Sequence, residues 1–132
     1  MLTPYGGPRT RASLPRWYME EKEISYTLIE LNHHAGENLK TEFLTINLFR
    51  KLPALIDLNI KIANGDPLKL LKSGAILLCL AEQYSDDIKM IENKALASQW
   101  LQFANSTLSI ALIVPSHREK EFPRLMKEQD HR

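Results

Sequence analysis

The sequence predicts an α/β domain with a mixed β sheet flanked by helices, followed by a shorter all-helical piece. Three observations carry that expectation. Strand-like and helix-like segments alternate through the first half of the chain, an Asn-Gly-Asp-Pro turn at residues 64–67 separates two short apolar runs, and only helical spacing occurs beyond residue 85. A strand–helix–strand unit implies a parallel pair, whereas strands joined by a tight turn pair antiparallel. Both arrangements in one sheet make it mixed, with helices on both faces.

Taken in order, Met1–Tyr5 is a short apolar run that ends at Gly6-Gly7-Pro8, as a strand leaving its sheet through a turn. Ser13–Lys22 reads as a helix with Ser13 as its N-cap and Pro15 in the first turn, where the missing N–H costs nothing. Ile24–Leu31 is apolar on both faces and suits a strand buried on both sides. His33–Lys40 is polar, contains Gly36 and reads as a loop, and a short helix is expected over Thr41–Asn47. Leu52–Ile56 is a strand entered through Pro53, extended as far as Lys61–Ile62, and Leu68–Leu71 is its return partner. Ser73 then caps a helix over Gly74–Tyr84 with an Ile76, Leu77, Leu80 stripe. Ser85–Asp87 reads as a linker, and Met90–Ile113 as a long helix closed by Pro115. Phe122, Leu125 and Met126 are spaced for one more short helix in the charged tail.

Composition narrows the function classes. Hydrophobic residues make up 44% and charged residues 25%, as in a globular protein. Lys+Arg is 17 against Asp+Glu 16, so net charge gives no long-range pull on a polyanion and nucleic acid is not an expected partner. No apolar run approaches the roughly 18 residues of a spanning helix, so no membrane role is expected, and no secretory signal is evident at the start. A single cysteine, Cys79, excludes an intrachain disulfide and a Cys-x-x-Cys pair and suits a cytoplasmic setting. His33-His34 lacks the further ligands that close a metal site, so a surface loop is expected and no metal. Cys79 is expected to be a buried core thiol, and Trp17 and Trp100 to pack.

Particular segments then resemble a known family. Leu52-Pro53-Ala54-Leu55, followed by Lys72-Ser73-Gly74-Ala75-Ile76-Leu77-Leu78, is similar to the paired signature of the glutathione S-transferases. The stretch Phe43–Lys51 resembles the segment before the family's proline. The opening Tyr5–Ser13 and the stretch Gln99–Leu108 are similar to bacterial, chi-like members. The resemblance implies a thioredoxin-like first domain over residues 1–84 and a truncated all-helical C-terminal domain over 85–132, with glutathione as cosubstrate and a small electrophile as substrate. It also implies a site. A cis peptide bond before Pro53 exposes the N–H and C=O of Leu52 to the cysteinyl part of glutathione. Ser73 and the adjoining helix N-terminus meet the γ-glutamyl carboxylate, and Lys51 meets the glycyl carboxylate. Lys72 stands where the family usually has an acid that holds the γ-glutamyl ammonium. Arg50 and Leu48 stand where it usually has glycine and proline.

Catalysis in this family stabilises the glutathione thiolate, which requires a hydrogen-bond donor or a positive field at the sulfur. The segment after the first strand offers Arg11, Thr10 and Ser13, ranked in that order. Arg9 and Arg11 read equally as a pair of solvated loop cations, and Tyr5 as a core residue at the strand end. Two function classes remain: a cytoplasmic detoxifying transferase, which conjugates glutathione or reduces peroxides with it, and a non-enzymatic interaction module of the same fold. The short helical piece would leave an apolar face uncovered and so invite a homodimer.

Overall fold

The structure, a computed structural model, describes residues 1–112. The Pro115 stop and the tail helix expected around Phe122 lie outside the described residues. The chain divides into two compact units, Met1–Lys94 and Ala95–Arg132.

In the first unit, strands β1 (Leu2–Gly6), β2 (Ile29–Glu30), β3 (Ala54–Lys61) and β4 (Pro67–Leu71) form one sheet in the order β2-β1-β3-β4. β1 and β2 run parallel, and the other two pairs are antiparallel. The expected mixed sheet is therefore present. Strand alternation assigns its faces. Leu2 of β1, Leu55 of β3 and Leu70 of β4 point toward helices α1 (Ser13–Glu21) and α3 (Ser73–Gln83), where they join Met19, Ile76 and Leu80 in the core. Tyr5 points to the other face, against Phe43 of the four-residue helix α2 (Thr41–Leu44), with ring centroids 5.8 Å apart. Lys69 shares that face and donates to the Thr45 carbonyl at 3.0 Å.

The Ile24–Leu31 strand is much shorter than expected, and neither residue of β2 is buried. The cause lies in its neighbour. Thr27 donates to the Leu2 carbonyl at 2.9 Å and Leu31 to the Gly6 carbonyl at 2.6 Å, so the segment does follow β1. In a parallel ladder the residue two beyond Leu2 returns a bond to Thr27. That residue is Pro4, which has no N–H. Pairing is reduced to an isolated bridge at Tyr26 and the two residues of β2.

The hairpin follows expectation. Gly65 takes φ 86°, and the turn closes through Ile62 N–H to the Asp66 carbonyl at 2.9 Å. β3 bulges between Asp57 and Lys61. Asp57 is fully buried there, accepting from the Tyr84 hydroxyl at 2.6 Å and the Asn59 N–H at 2.8 Å. Burial is the main cause that pushes the Tyr84 phenol up, and its bond to Asp57 adds to it.

Two expected N-caps are corrected. Ala12 and Lys72 occupy the cap positions, and Ser13 and Ser73 are the first helical residues. The reason is the same on both sides: a sharp turn precedes each helix, with positive φ at Arg9 and Lys72, so the chain enters the helix one residue early. The segment Ser85–Asp87 is pinned to α1. Tyr18 donates to Asp87 at 2.7 Å and meets the Ser85 hydroxyl at 2.8 Å, and Lys22 pairs with Asp87 at 2.8 Å.

Helix α4 (Ile91–Phe103) begins in the first unit, where Lys94 pairs with Glu82. The described part of the second unit is all helical. α4 runs into a π-helical stretch at Ala104–Leu108, and helical structure continues to Leu112. Trp100, expected to pack, is 60% exposed and touches Phe103 edge to face.

Candidate functional site

The sheet register gathers the expected residues at one end. Tyr5 is the partner of Ala54, and Ala54 of Leu71. One residue further along each strand, the chain leaves the sheet through Gly6, Pro53 and Lys72 side by side. The loop carrying Thr10, Arg11 and Ser13, the approach Lys51-Leu52-Pro53, and the start of α3 at Ser73 therefore share one edge.

Each approach is fixed by local chemistry. Gly6 and Gly7 begin the first loop because nothing larger fits: a Cβ on Gly6 would lie 2.2 Å from the Ala12 Cβ, and one on Gly7 would lie 2.4 Å from the Leu31 carbonyl oxygen. Thr10 ties the loop together. Its hydroxyl donates to the Gly7 carbonyl at 2.8 Å and accepts from the Ala12 N–H at 3.3 Å. Ser13, which is exposed, donates to the Thr10 carbonyl at 3.2 Å. Both hydroxyls expected near a thiolate thus have backbone partners. Arg11 is exposed on the same loop.

The second approach is organised by Asn47, whose role the sequence reading missed. It is buried, donates to the Lys51 carbonyl at 2.7 Å and accepts from the Phe49 N–H at 3.0 Å. The second bond is an Asx turn, which an asparagine two residues before an exposed aromatic could have signalled. The turn carries the chain through Arg50 at φ 59° into a cis Leu52–Pro53 bond. Among the described residues, neither the N–H nor the C=O of Leu52 enters a hydrogen bond. Lys51 is exposed beside it.

The third approach is α3. Lys72 adopts φ 70° and ψ 123°, a strained conformation for a residue with a side chain, and is exposed. Ser73 is only 4% exposed, and no hydrogen bond engages its hydroxyl among the described residues. The first internal bond of the helix runs from Ile76 N–H to the Lys72 carbonyl at 3.1 Å, which leaves the earlier N–H groups available.

A cavity of about 450 Å³ opens at this end, lined among others by Arg9, Ser13, Trp17, Pro53 and Ile76. It brings Ser13 and Pro53 together, whereas Thr10, Arg11, Lys51, Leu52, Lys72 and Ser73 are not among the residues that line it. Trp17 is 66% exposed, so it lines a cavity rather than packing in the core, and its indole N–H donates to Glu21 at 3.2 Å. A second cavity of about 550 Å³ is lined by Arg9, Glu30, Asn32, His33, His34 and Glu37, among others. His33 and His34 stack on each other in that loop at 3.9 Å. Among the described residues no three His, Cys, Asp or Glu side chains gather as a metal would need, and no helix is long and apolar enough to cross a membrane. Cys79 is half-buried rather than fully buried, and burial pushes its thiol up, with Asp57 and Glu82 adding to the effect. A thiol shifted that way is a poor nucleophile.

A mixed four-stranded sheet with helices on both faces and a cis-proline at the start of its third strand defines a thioredoxin-like domain. Residues 1–82 match the family described as the glutathione S-transferase N-terminal domain, and the chain belongs to that family. It is 37% identical over 83 residues to the disulfide-bond oxidoreductase YfcG of Escherichia coli (strain K12), covering 63% of this chain and 38% of that protein. It is 32% identical over 89 residues to a glutathione S-transferase of Hyoscyamus muticus, covering 64% and 38% respectively. In three dimensions it is similar to the glutathione transferase of Pseudomonas putida, which was crystallised with one glutathione disulfide per subunit. That match has a TM-score of 0.69 and 28% identity, and covers 80% of this chain and 45% of the other. The chain thus spans less than half the length of these relatives.

Proposed function

We propose that this chain binds glutathione at the sheet end and activates its thiol for transfer to small electrophiles. The observation that carries the reading is Leu52. Among the described residues nothing bonds its N–H or its C=O, so an extended peptide can pair with them as a strand would. The α3 N-terminus, with Ser73, is suited to a carboxylate at one end of such a peptide, and Lys51 to a carboxylate at the other. The solved relative's bound glutathione disulfide supports the same ligand here.

Thiolate stabilisation then falls first to Arg11. Thr10 and Ser13 have committed their hydroxyl protons to backbone carbonyls, and they serve the site by holding the loop that carries Arg11. A guanidinium near the sulfur lowers the thiol pKa from its ordinary value of about 8.5. The reading also divides the chain into a glutathione-binding domain over 1–84 and a helical domain over 85–132, and places a homodimer in the cytoplasm.

Calorimetric titration of glutathione into the folded chain tests binding, with Ser73→Ala expected to weaken it several-fold. Thiolate absorbance against pH tests activation, with Arg11→Ala expected to move the bound thiol's titration upward. Saturable binding that ignores both substitutions would sink the assignment of these residues.

A second reading is favoured by the likeness to YfcG, a disulfide-bond oxidoreductase. Here the bound thiolate attacks a disulfide, forms a mixed disulfide and releases the other half as thiolate, and a second glutathione then resolves the mixed disulfide. Comparison of turnover on an aryl halide and on a small-molecule disulfide separates the two chemistries.

A further inference from the structure

The start of α3 is a helix N-terminus with a cation, Lys72, directly before it. Among the described residues nothing accepts from its early N–H groups, and Ser73 lies 96% buried with a hydroxyl that no described residue engages. That hydroxyl is also not sealed from solvent, because Asn38 Oδ1 is the sole sequestered side-chain oxygen or nitrogen without a partner among the described residues. The Ser73 hydroxyl therefore opens to the surface at the helix terminus with its hydrogen-bonding capacity intact. Directly before it stands Lys72, exposed and fixed in an uncommon backbone conformation that sets where its side chain departs. Arg9, Arg50 and Lys51 lie on the other loops of the same sheet end, and Glu30 stands in β2 opposite Gly6.

From this arrangement we infer that the site selects a thiol whose carboxylate end is purely anionic over one whose end is zwitterionic. The inference rests on the glutathione reading and sharpens its substrate class. The α-ammonium of a γ-glutamyl group is carried by the same carbon as its carboxylate. Docking that carboxylate on the α3 N-terminus places the ammonium within a few ångströms of it, in the positive potential of both the helix end and Lys72. Acylation of the amine removes that charge and keeps the carboxylate. The preferred ligand class is therefore a glutathione-like thiol with a blocked or absent α-amine.

The experiment is a paired calorimetric titration of the folded chain with glutathione and with glutathione acetylated on its γ-glutamyl amine, repeated on Lys72→Glu and Lys72→Gln. The wild-type chain should bind the acetylated thiol about two- to fivefold more tightly, the range of an exposed charge pair. Lys72→Gln should bring the ratio toward one and Lys72→Glu should invert it, and added salt should shrink it in the wild type. Wild-type preference for unmodified glutathione, or a ratio unmoved by either substitution, overturns the inference and leaves the glutathione site standing. Failure of the folded wild-type chain to bind either thiol overturns both.

Discussion

Gly7 and Arg50 occupy backbone positions with opposite demands, and both shape the site. At Gly7 the constraint is space: the Leu31 carbonyl oxygen lies 2.4 Å from where a Cβ would stand, and it belongs to backbone that already accepts no slack, since Leu31 itself donates to Gly6 at 2.6 Å. Gly7→Ala must push β2 from β1, and it should cost about 1–3 kcal/mol, the range of overpacking. Chemical denaturation measures it, and an unchanged midpoint would mean that the strands separate freely. At Arg50 the constraint is conformation. Its φ of 59° is costly for any residue with a Cβ, while the bonds made there, Arg50 N–H to the Asn47 carbonyl and Asn38 to the Arg50 carbonyl, use backbone alone. Arg50→Gly retains both bonds and relieves the strain. It should raise stability by about 1 kcal/mol after glycine's own entropy is counted. A lower melting temperature for this variant would show that the guanidinium makes a contact worth more than the strain.

The turn at Asn47–Lys51 lies outside regular structure and is closed through one side chain. Asn47→Ala removes two hydrogen bonds and leaves the Lys51 carbonyl and Phe49 N–H without their partner. The expected loss is about 1–3 kcal/mol, with glutathione affinity falling further than stability because Leu52 is displaced. Parallel denaturation and titration of the variant check this, and an affinity equal to that of the wild type at matched folded fraction would detach the turn from the site. This turn also marks what the sequence could and could not tell. The hairpin was legible because Asn64–Pro67 names its own geometry, and α3 because its apolar stripe repeats at helical spacing. The cis-proline site was legible by resemblance, through Pro53 and Ser73 at their spacing. The N-caps were misplaced by one residue because the turns through Arg9 and through Lys72 deliver the chain into helical conformation at Ser13 and Ser73 themselves, and no local pattern distinguishes a cap from a first helical position. β2 was overestimated because its limit lies not in its own residues but in Pro4, more than twenty positions away. Asn47 was read only as part of a family segment, since a buried asparagine is recognised by partners that fold onto it.

Across the whole first unit, the tie between α1 and the segment after α3 closes the structure electrostatically. Asp87 accepts from Lys22 and Tyr18, and these bonds hold its carboxyl below the usual 3.8, the Lys22 bond contributing most. The same bond raises the Lys22 ammonium above its usual 10.5. The two shifts set the sign of the pH dependence. A depressed carboxylate adds stability above its unfolded pKa and loses it as pH falls through the folded value, while a raised lysine adds stability below its unfolded pKa and loses it as pH rises through the folded value. The tie is therefore complete between about pH 4 and pH 10 and fails beyond either end. Because Lys22 and Asp87 are both more than a third exposed, the contribution should be small and salt-sensitive. Asp87→Asn should melt below the wild type at neutral pH, the gap closing as pH drops under the carboxylate range and narrowing with added salt. Melting curves of the two proteins from pH 3 to pH 7, at low and high ionic strength, decide the matter (those limits span roughly the carboxylate range and neutrality). A gap that stays constant through acid would assign the stabilisation to the neutral Tyr18 and Ser85 hydroxyl contacts, so that α1 would be held to the end of α3 by hydrogen bonding rather than by charge.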